Sequence, residues 1–257
     1  MENELRPLTD RSPLRYPGGK SKAVKIILDI IPSGLNEICS PFLGGASVEL
    51  ALQAKQVDVH AGDSFEPLVN FWNQAKATPW YVAEAARRHL PLSKEQFYHL
   101  RKTCPHIEDE IERAAAFFVL NRSSFSGSTL SGGMSPGHPR FNSNAIDRVS
   151  EFRAPFLSVR HEDFEVTIKQ HPGMFLFLDP PYDNGGSLYG VNGDQHKGFD
   201  HEKLAQILHE RDTHWLLCYN DSPRIREWYA DYCLIFPKWK YGMSANKSSS
   251  EIIITNF

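Results

Sequence analysis

The chain of 257 residues has no apolar run approaching the roughly 20 residues needed to cross a membrane. Its opening stretch, MENELRPLTDRSP, is polar and charged, so neither a secretory leader nor a membrane anchor is expected. Cysteine is scarce. Cys39, Cys104, Cys218 and Cys233 lie far apart, with no C-x-x-C and no paired histidine spacing. That excludes a disulfide framework and a structural zinc by pattern, so no metal is expected and the chain reads as a soluble, intracellular protein, cytoplasmic by expectation. Surplus charge is lacking too: the net charge is −3, so bulk electrostatics announce no nucleic-acid partner. Finally, no complete G-x-G-x-x-G is present, which argues against a nicotinamide oxidoreductase.

What is present is local. Arg11, Arg15, Lys20, Lys22 and Lys25 follow one another without an acidic residue between them. Arginines outnumber acids between Asn121 and Arg160, and Lys238, Lys240 and Lys247 form a further basic stretch. A near-neutral chain can therefore carry basic surfaces, although scattered solvated side chains would give the same composition.

Hydrophobic spacing predicts a helix in SKAVKIILDII, a strand over 37–42, a helix in ASVELALQAK and a strand ending at Asp63. Strand, glycine turn, helix, strand and acid make the first half of a doubly wound nucleotide fold. From Phe65 to Leu120 only helical patterns occur, near 66–77, 79–88, 93–103 and 108–120, followed by a Ser-, Gly- and Pro-rich loop from Asn121 to Asn144. We read 65–155 as an inserted helical subdomain, with 1–64 and 156–257 forming the main domain. Alternation resumes with strands in FLSVRHEDF, 174–178 and HWLLCYND, and helices in DHEKLAQILHER and SPRIREWYA. The two final strands, YCLIFPKW and SEIIITNF, are joined by a loop too short for a crossover helix and should pair antiparallel. The fold class is thus α/β, a mainly parallel Rossmann-like sheet with one antiparallel strand near its edge.

Three motifs carry chemistry. PFLGGAS lies between a strand and a helix, where small residues let backbone approach a ligand; alone it could be an ordinary turn. Asp63, about 20 residues on, is placed to accept hydrogen bonds from ribose hydroxyls. RYPGGK forms a tight bend, and Lys20, at the start of the next helix, makes sense if it meets a carboxylate or a phosphate. MFLFLDPPYDNGG is a buried strand that ends in Asp179-Pro180-Pro181-Tyr182. The Asp179 carboxylate and the Pro180 carbonyl are two acceptors beside one aromatic face, an arrangement suited to a planar amine.

The order RYPGGK, PFLGGAS, Asp63, helical insertion, DPPY resembles Dam-type adenine-specific DNA methyltransferases of the alpha group, over nearly the whole chain from Leu14 to Phe257. LNRSSFSG is similar to the segment entering that family's recognition hairpin, LLCYND to its fifth-strand segment and YGMSANKSSSEIIITNF to its C-terminal end. This chain departs from the family pattern in having Ser40 where an acid often precedes Pro-Phe, and Ala46 in place of a second glycine. The resemblance implies a class I methyltransferase fold, S-adenosylmethionine as cofactor and transfer of methyl to the N6 amine of an adenine flipped from double-stranded DNA, as in restriction-modification systems. It implies that Tyr16 and Lys20 lie along the methionine portion and that Phe42, Gly44 and Gly45 line the turn beneath it. By the same resemblance Asp63 binds the ribose, and Asp163 with Phe164 meets the cofactor adenine. Asp179, Pro180, Pro181 and Tyr182 form the catalytic motif. Arg122, Arg140, Arg148 and Lys247 become the expected DNA contacts, and a monomer the expected state. DPPY alone leaves open RNA adenine or DNA cytosine as target, and an inactive DNA-binding homologue is a reading from another class.

Overall fold

The computed structural model describes residues 7–135, 140–183, 199–237 and 251–257. Lys247 and the rest of the basic stretch, Lys238 and Lys240, lie outside the described residues. Strands β1 (Glu37–Ser40), β2 (Asp58–Asp63), β3 (Leu157–His161), β4 (Phe175–Leu178), β5 (Trp215–Asn220), β6 (Cys233–Ile235) and β7 (Glu251–Thr255) form one sheet in the order β3-β2-β1-β4-β5-β7-β6. Neighbours pair in parallel from β3 to β5, while β7 runs antiparallel to both β5 and β6. The expected antiparallel strand is therefore present, one place in from the edge. It holds register through Cys218 opposite Ile253 and Asn220 opposite Glu251.

Strands β4 (FLFL) and β5 (WLLCYN) are buried along their whole length. Both faces of such a sheet are covered, so its central strands read as apolar runs rather than as alternation. Ile38, Phe175, Phe177, Leu216 and Ile253 join a core on one face. Cys39, Leu176, Leu178, Leu217, Tyr219, Ile252 and Ile254 join a second core on the other. All four cysteines are free thiols.

Ten helices accompany the sheet among the described residues: α1 (Val24–Ile30), α2 (Ser47–Gln53), α3 (Glu66–Ala77), α4 (Pro79–Arg87), α5 (Lys94–Thr103), α6 (Glu110–Ser123), α7 (Ser143–Ser150), α8 (Phe164–Gln170), α9 (His201–His209) and α10 (Pro223–Trp228). Helices α3 to α7 continue the first core. Phe71 of α3 stacks on Phe118 of α6 with ring centroids 6.0 Å apart, and Val82, Phe97, Ile146 and Val149 belong to the same cluster. Leu204, Ala205 and Leu208 of α9 cover the opposite face.

Three boundaries differ from the expectation, and two helices were not expected. The strand expected over 37–42 ends at Ser40, because the backbone turns to bring Leu43 N–H onto the Gly62 carbonyl at 3.1 Å. The strand expected in FLSVRHEDF stops at His161; Asp163 accepts the Glu165 N–H at 2.9 Å and caps α8, which was not foreseen. Within the expected loop, α6 runs on to Ser123, and Asn142 caps α7 by accepting the Ala145 N–H. In helices this short an apolar face is a single turn long, as with Ala145, Ile146 and Val149 of α7, and falls below the window over which periodicity is read.

Asn121, wholly buried on α6, ties the N-terminal arm to the insertion. Its Oδ1 accepts the Arg15 N–H at 2.8 Å, and its Nδ2 donates to the Arg15 carbonyl at 2.7 Å. Replacing Asn121 by Ala leaves both Arg15 groups unmatched. It should lower stability by roughly 1–3 kcal/mol, measured as a shift in the urea midpoint; an unchanged midpoint would show that the arm is held by other contacts.

Candidate active site

The order of the sheet reverses between β1 and β4, and the cleft opens at the carboxyl ends of β1, β2 and β4, where open α/β sheets take ligands. It holds about 950 Å³ of space, part of it continuous with solvent. The turn 41–47 forms its floor. Gly44 adopts φ +46°, its N–H donates to Asp63 Oδ2 at 3.0 Å, and its carbonyl accepts from Trp72 Nε1 at 3.1 Å. Asp63 Oδ1 accepts the Phe65 N–H at 2.9 Å. Asp63 thus faces the cleft while bracing the turn, and burial pushes its carboxyl above the usual range against the pull of those two N–H groups. Tyr16 lies across the turn so closely that a Cβ on Gly45 would sit 2.7 Å from Tyr16 Cβ. These glycines are there because a ring covers them.

The RYPGGK bend is closed by Gly19 N–H to the Tyr16 carbonyl at 3.0 Å, with Gly18 at φ +70°. Lys20 lies ahead of α1 rather than in it, and it is buried. Its Nζ donates to the Gly18 carbonyl at 2.9 Å and to Asp179 Oδ1 at 2.6 Å, and stands 3.9 Å from Glu251 Oε1. The carboxylate that the sequence asked for is therefore that of Asp179. Tyr182 donates its hydroxyl to Glu251 Oε1 at 2.5 Å, and the Lys20 ammonium lies 5.1 Å from the Tyr182 ring centre. Burial would strip the Lys20 proton, but Asp179 and Glu251 outweigh it and hold the ammonium charged more firmly than usual. Burial pushes the Asp179 carboxyl up to about 6 despite Lys20. The turn after DPPY is fixed by the Asp183 N–H donating to Asn220 Oδ1 at 2.9 Å.

An aromatic wall closes another part of the cleft. Phe42 stacks on Phe164 at 5.5 Å, and Phe199 meets Phe42 at 5.5 Å and Phe164 at 5.2 Å. Asp163 lines the cleft from the start of α8. Tyr16, Lys20, Phe42, Gly44, Gly45, Asp63, Asp163, Phe164 and the four DPPY residues thus surround one cavity. Sequence reasoning missed Phe199, Glu49 and Glu251. Phe199 precedes an anticipated helix and Glu251 opens an anticipated strand, yet nothing local aims either at the cleft.

The expected DNA contacts lie outside this lining. Arg122 Nε donates to the Arg140 carbonyl at 2.9 Å and its Nη1 to the Pro13 carbonyl at 3.3 Å. Burial, together with Arg15, Arg148 and Arg140, pushes the Arg122 guanidinium down to about 10. Arg140 likewise acts on Arg15, which burial already lowers. Among the described residues, no acidic side chain pairs with any of these four arginines, which makes a local concentration of positive charge. No group of three or more His, Cys, Asp or Glu among the described residues could hold a metal ion, and no described helix is long and apolar enough to cross a membrane.

Residues 16–243 match the family described as D12 class N6 adenine-specific DNA methyltransferase. A type II methyltransferase, M1.LlaDCHI of Lactococcus lactis subsp. cremoris, is 25% identical over 98% of this chain and 96% of its own length. The DNA adenine methylase of Vibrio cholerae serotype O1 is 27% identical over 85% of this chain and 84% of its own length. The DNA N-6-adenine-methyltransferase of Escherichia phage P1 is 27% identical over 90% of this chain, which spans 33% of that longer protein.

The packing of Tyr16 on the glycine turn generates a stability test. Gly45→Ala should destabilise the protein by roughly 1–3 kcal/mol, because the added methyl must displace Tyr16. Gly173→Ala, which meets nothing within 4 Å, should stay within about 0.5 kcal/mol of the parent. Thermal melts of the two variants check this; equal melts would mean that the Tyr16 contact yields freely.

Proposed function

Because the chain belongs to the D12 class N6 adenine-specific DNA methyltransferases, we propose that its cleft binds S-adenosylmethionine and presents the amine of a flipped-out adenine to it at Asp179. The observation that carries this reading is the cluster of Lys20, Asp179, Tyr182 and Glu251 at the end of β4, facing the turn that Tyr16 covers. The residues present fit the cofactor chemically. Three phenyl rings offer a wall for a purine, Asp63 offers an acceptor beside the turn, and charged groups stand where an amino-acid end needs them. When bound, that cofactor supplies an electrophilic methyl group on a sulfonium.

The amine of adenine is a weak nucleophile because its lone pair is delocalised into the ring. Asp179 and the Pro180 carbonyl accept its two N–H groups, which fixes the direction of the lone pair and favours a pyramidal nitrogen. Lys20 occupies Asp179 Oδ1, so it orients the carboxylate and leaves the other oxygen to the amine. Pro181 stiffens the turn. Tyr182 stacks on the base, with its ring angle set by the bond to Glu251. The surplus proton leaves after transfer, so a carboxylate suffices and no strong base is needed. An amine inside a duplex is out of reach of such a pocket, so the base is taken out of the stack.

In this reading, residues 65–155 meet the DNA. Arg122, Arg140 and Arg148 supply backbone or base contacts, as does Lys247, and charge without an acidic partner is what a phosphate backbone attracts. Work on DNA puts the protein inside the cell; the monomer remains part of the proposal.

Two experiments test the reading. Labelled methyl from S-adenosylmethionine should enter unmethylated duplex DNA as N6-methyladenine. Asp179→Ala should abolish transfer; because it strands the Lys20 ammonium, Asp179→Asn, which keeps an oxygen for Lys20, should also abolish it while largely sparing cofactor binding. With the donor saturating, kcat should fall as pH drops through about 6, because Asp179 titrates there and its neutral form loses an acceptor site. Label in cytosine or only in RNA would overturn the target, and a wild-type rate in Asp179→Ala would overturn the pocket. Separately, the double variant Arg140→Ala/Arg148→Ala should flatten the salt dependence of duplex binding by about two units of slope. An unaltered slope would remove both residues from the interface.

A further inference from the structure

One carboxylate in the cleft has no role in the steps above. Glu49, on α2, lines the cleft yet is only 2% exposed. Its Oε1 accepts the Ser40 hydroxyl at 2.6 Å, a neutral partner at the end of β1. Among the described residues, no lysine, arginine or histidine forms an ion pair with it, whereas Asp179 is close enough to repel its charge. Burial pushes its carboxyl up to about 7, against the pull of Ser40 and of the Val48 and Glu49 backbone. A buried carboxylate without a cation is costly, and the cost is removed when a hydrogen-bonding cation arrives from outside.

The methyl donor carries two cationic centres, a sulfonium and an α-ammonium. Only the ammonium has N–H groups to donate to a carboxylate. Resting on the donor assignment above, we infer that Glu49 is the receptor for the α-ammonium group of the donor's amino-acid end, held in orientation by Ser40. Lys20 already donates to Asp179 and to the Gly18 carbonyl, and the phenyl wall carries no charge. Asp63 has its two oxygens turned to the Gly44 and Phe65 N–H groups. Asp163 caps α8 by accepting the Glu165 N–H. Glu49 is therefore the lining carboxylate that is buried yet has no cation, its partners being the Ser40 hydroxyl and the backbone at the start of α2.

Three ligands separate the groups. S-adenosylmethionine carries both cations, S-adenosylhomocysteine only the ammonium, and methylthioadenosine neither. In equilibrium titrations with the full chain, Glu49→Gln should weaken the first two by roughly 10- to 100-fold and leave methylthioadenosine within about twofold of the parent. Retained methylthioadenosine binding also reports that the variant is folded. Ser40→Ala, a second variant that keeps the carboxylate, should weaken the same two ligands by roughly two- to tenfold. Equal losses for all three ligands would make Glu49 a packing residue and overturn the inference. So would no loss in either variant, and so would a loss confined to S-adenosylmethionine, which would place Glu49 at the sulfonium. Failure of the unaltered protein to bind S-adenosylmethionine would instead remove the donor assignment, and this inference with it.

Discussion

The arrangement around the cleft depends on the ion pair between Lys20 and Asp179. Their partner atoms lie 2.6 Å apart, and the Lys20 side chain is almost wholly shielded from water. An ammonium buried alone costs several kcal/mol, so the DPPY turn and the RYPGGK bend can be dry only if they are dry together. The pair joins positions 159 residues apart and therefore forms only when the sheet and the N-terminal arm are both in place. Asn121 extends the dependence, because it fixes the backbone of Arg15 just before the bend. The helices between β2 and β3 are thus linked to the Asp179 carboxylate by the Asn121–Arg15 hydrogen bonds, the chain from Arg15 to Lys20 and the Lys20–Asp179 ion pair. In the proposed reading, this path of hydrogen bonds, backbone and ion pair connects the end of α6 that meets DNA to Asp179.

The same constraint accounts for the glycines. Once Lys20 is anchored, Tyr16 is drawn over the 41–47 turn, and no side chain fits at Gly45 beneath it. Asp63 and Trp72 then hold the Gly44 N–H and carbonyl from below. Backbone floor, aromatic cover and carboxylate brace hold the short loop from both sides. In the proposed reading, such fixing is what orientation-based catalysis needs, since a misplacement of the reacting groups by about 1 Å can cost a hundredfold in rate.

Much of this was legible because it is local. The buried run ending at Asp179, the glycine turn and the acid at Asp63 are sequence patterns that become neighbours once strands lie in parallel and end at one edge. The long helices α3 to α5 were likewise plain from periodicity. What escaped was of two kinds. Helices α7 and α8 are short: the caps Asn142 and Asp163 mark their starts, and the apolar face of α7 is only Ala145, Ile146 and Val149, one turn's worth beside a Ser-, Gly- and Pro-rich loop. Glu49, Phe199 and Glu251 acquire meaning only through tertiary partners: Ser40, the rings of Phe42 and Phe164, and Tyr182. The sequence did register Ser40 as a departure from the acid that often stands there in the family. It could not disclose that a carboxylate from the next helix turns back to the same hydroxyl.

The charges of the cleft then follow one logic. Asp179 and Glu251 flank the Lys20 ammonium, whereas Asp63 and Glu49 form no ion pair with a lysine or arginine among the described residues. Burial is the main reason these carboxyls resist ionisation, pushing Asp179 up to about 6 and Glu49 up to about 7, and repulsion from a neighbouring carboxylate adds to it. A proton on a carboxyl is the cheapest counterion available to an empty site, and a ligand cation replaces it. The cleft is therefore short of positive charge by construction. In the proposed reading, that shortage favours a cationic methyl donor over its neutral-sulfur product, and it also favours release of the product once the methyl group, and with it the sulfonium charge, is gone.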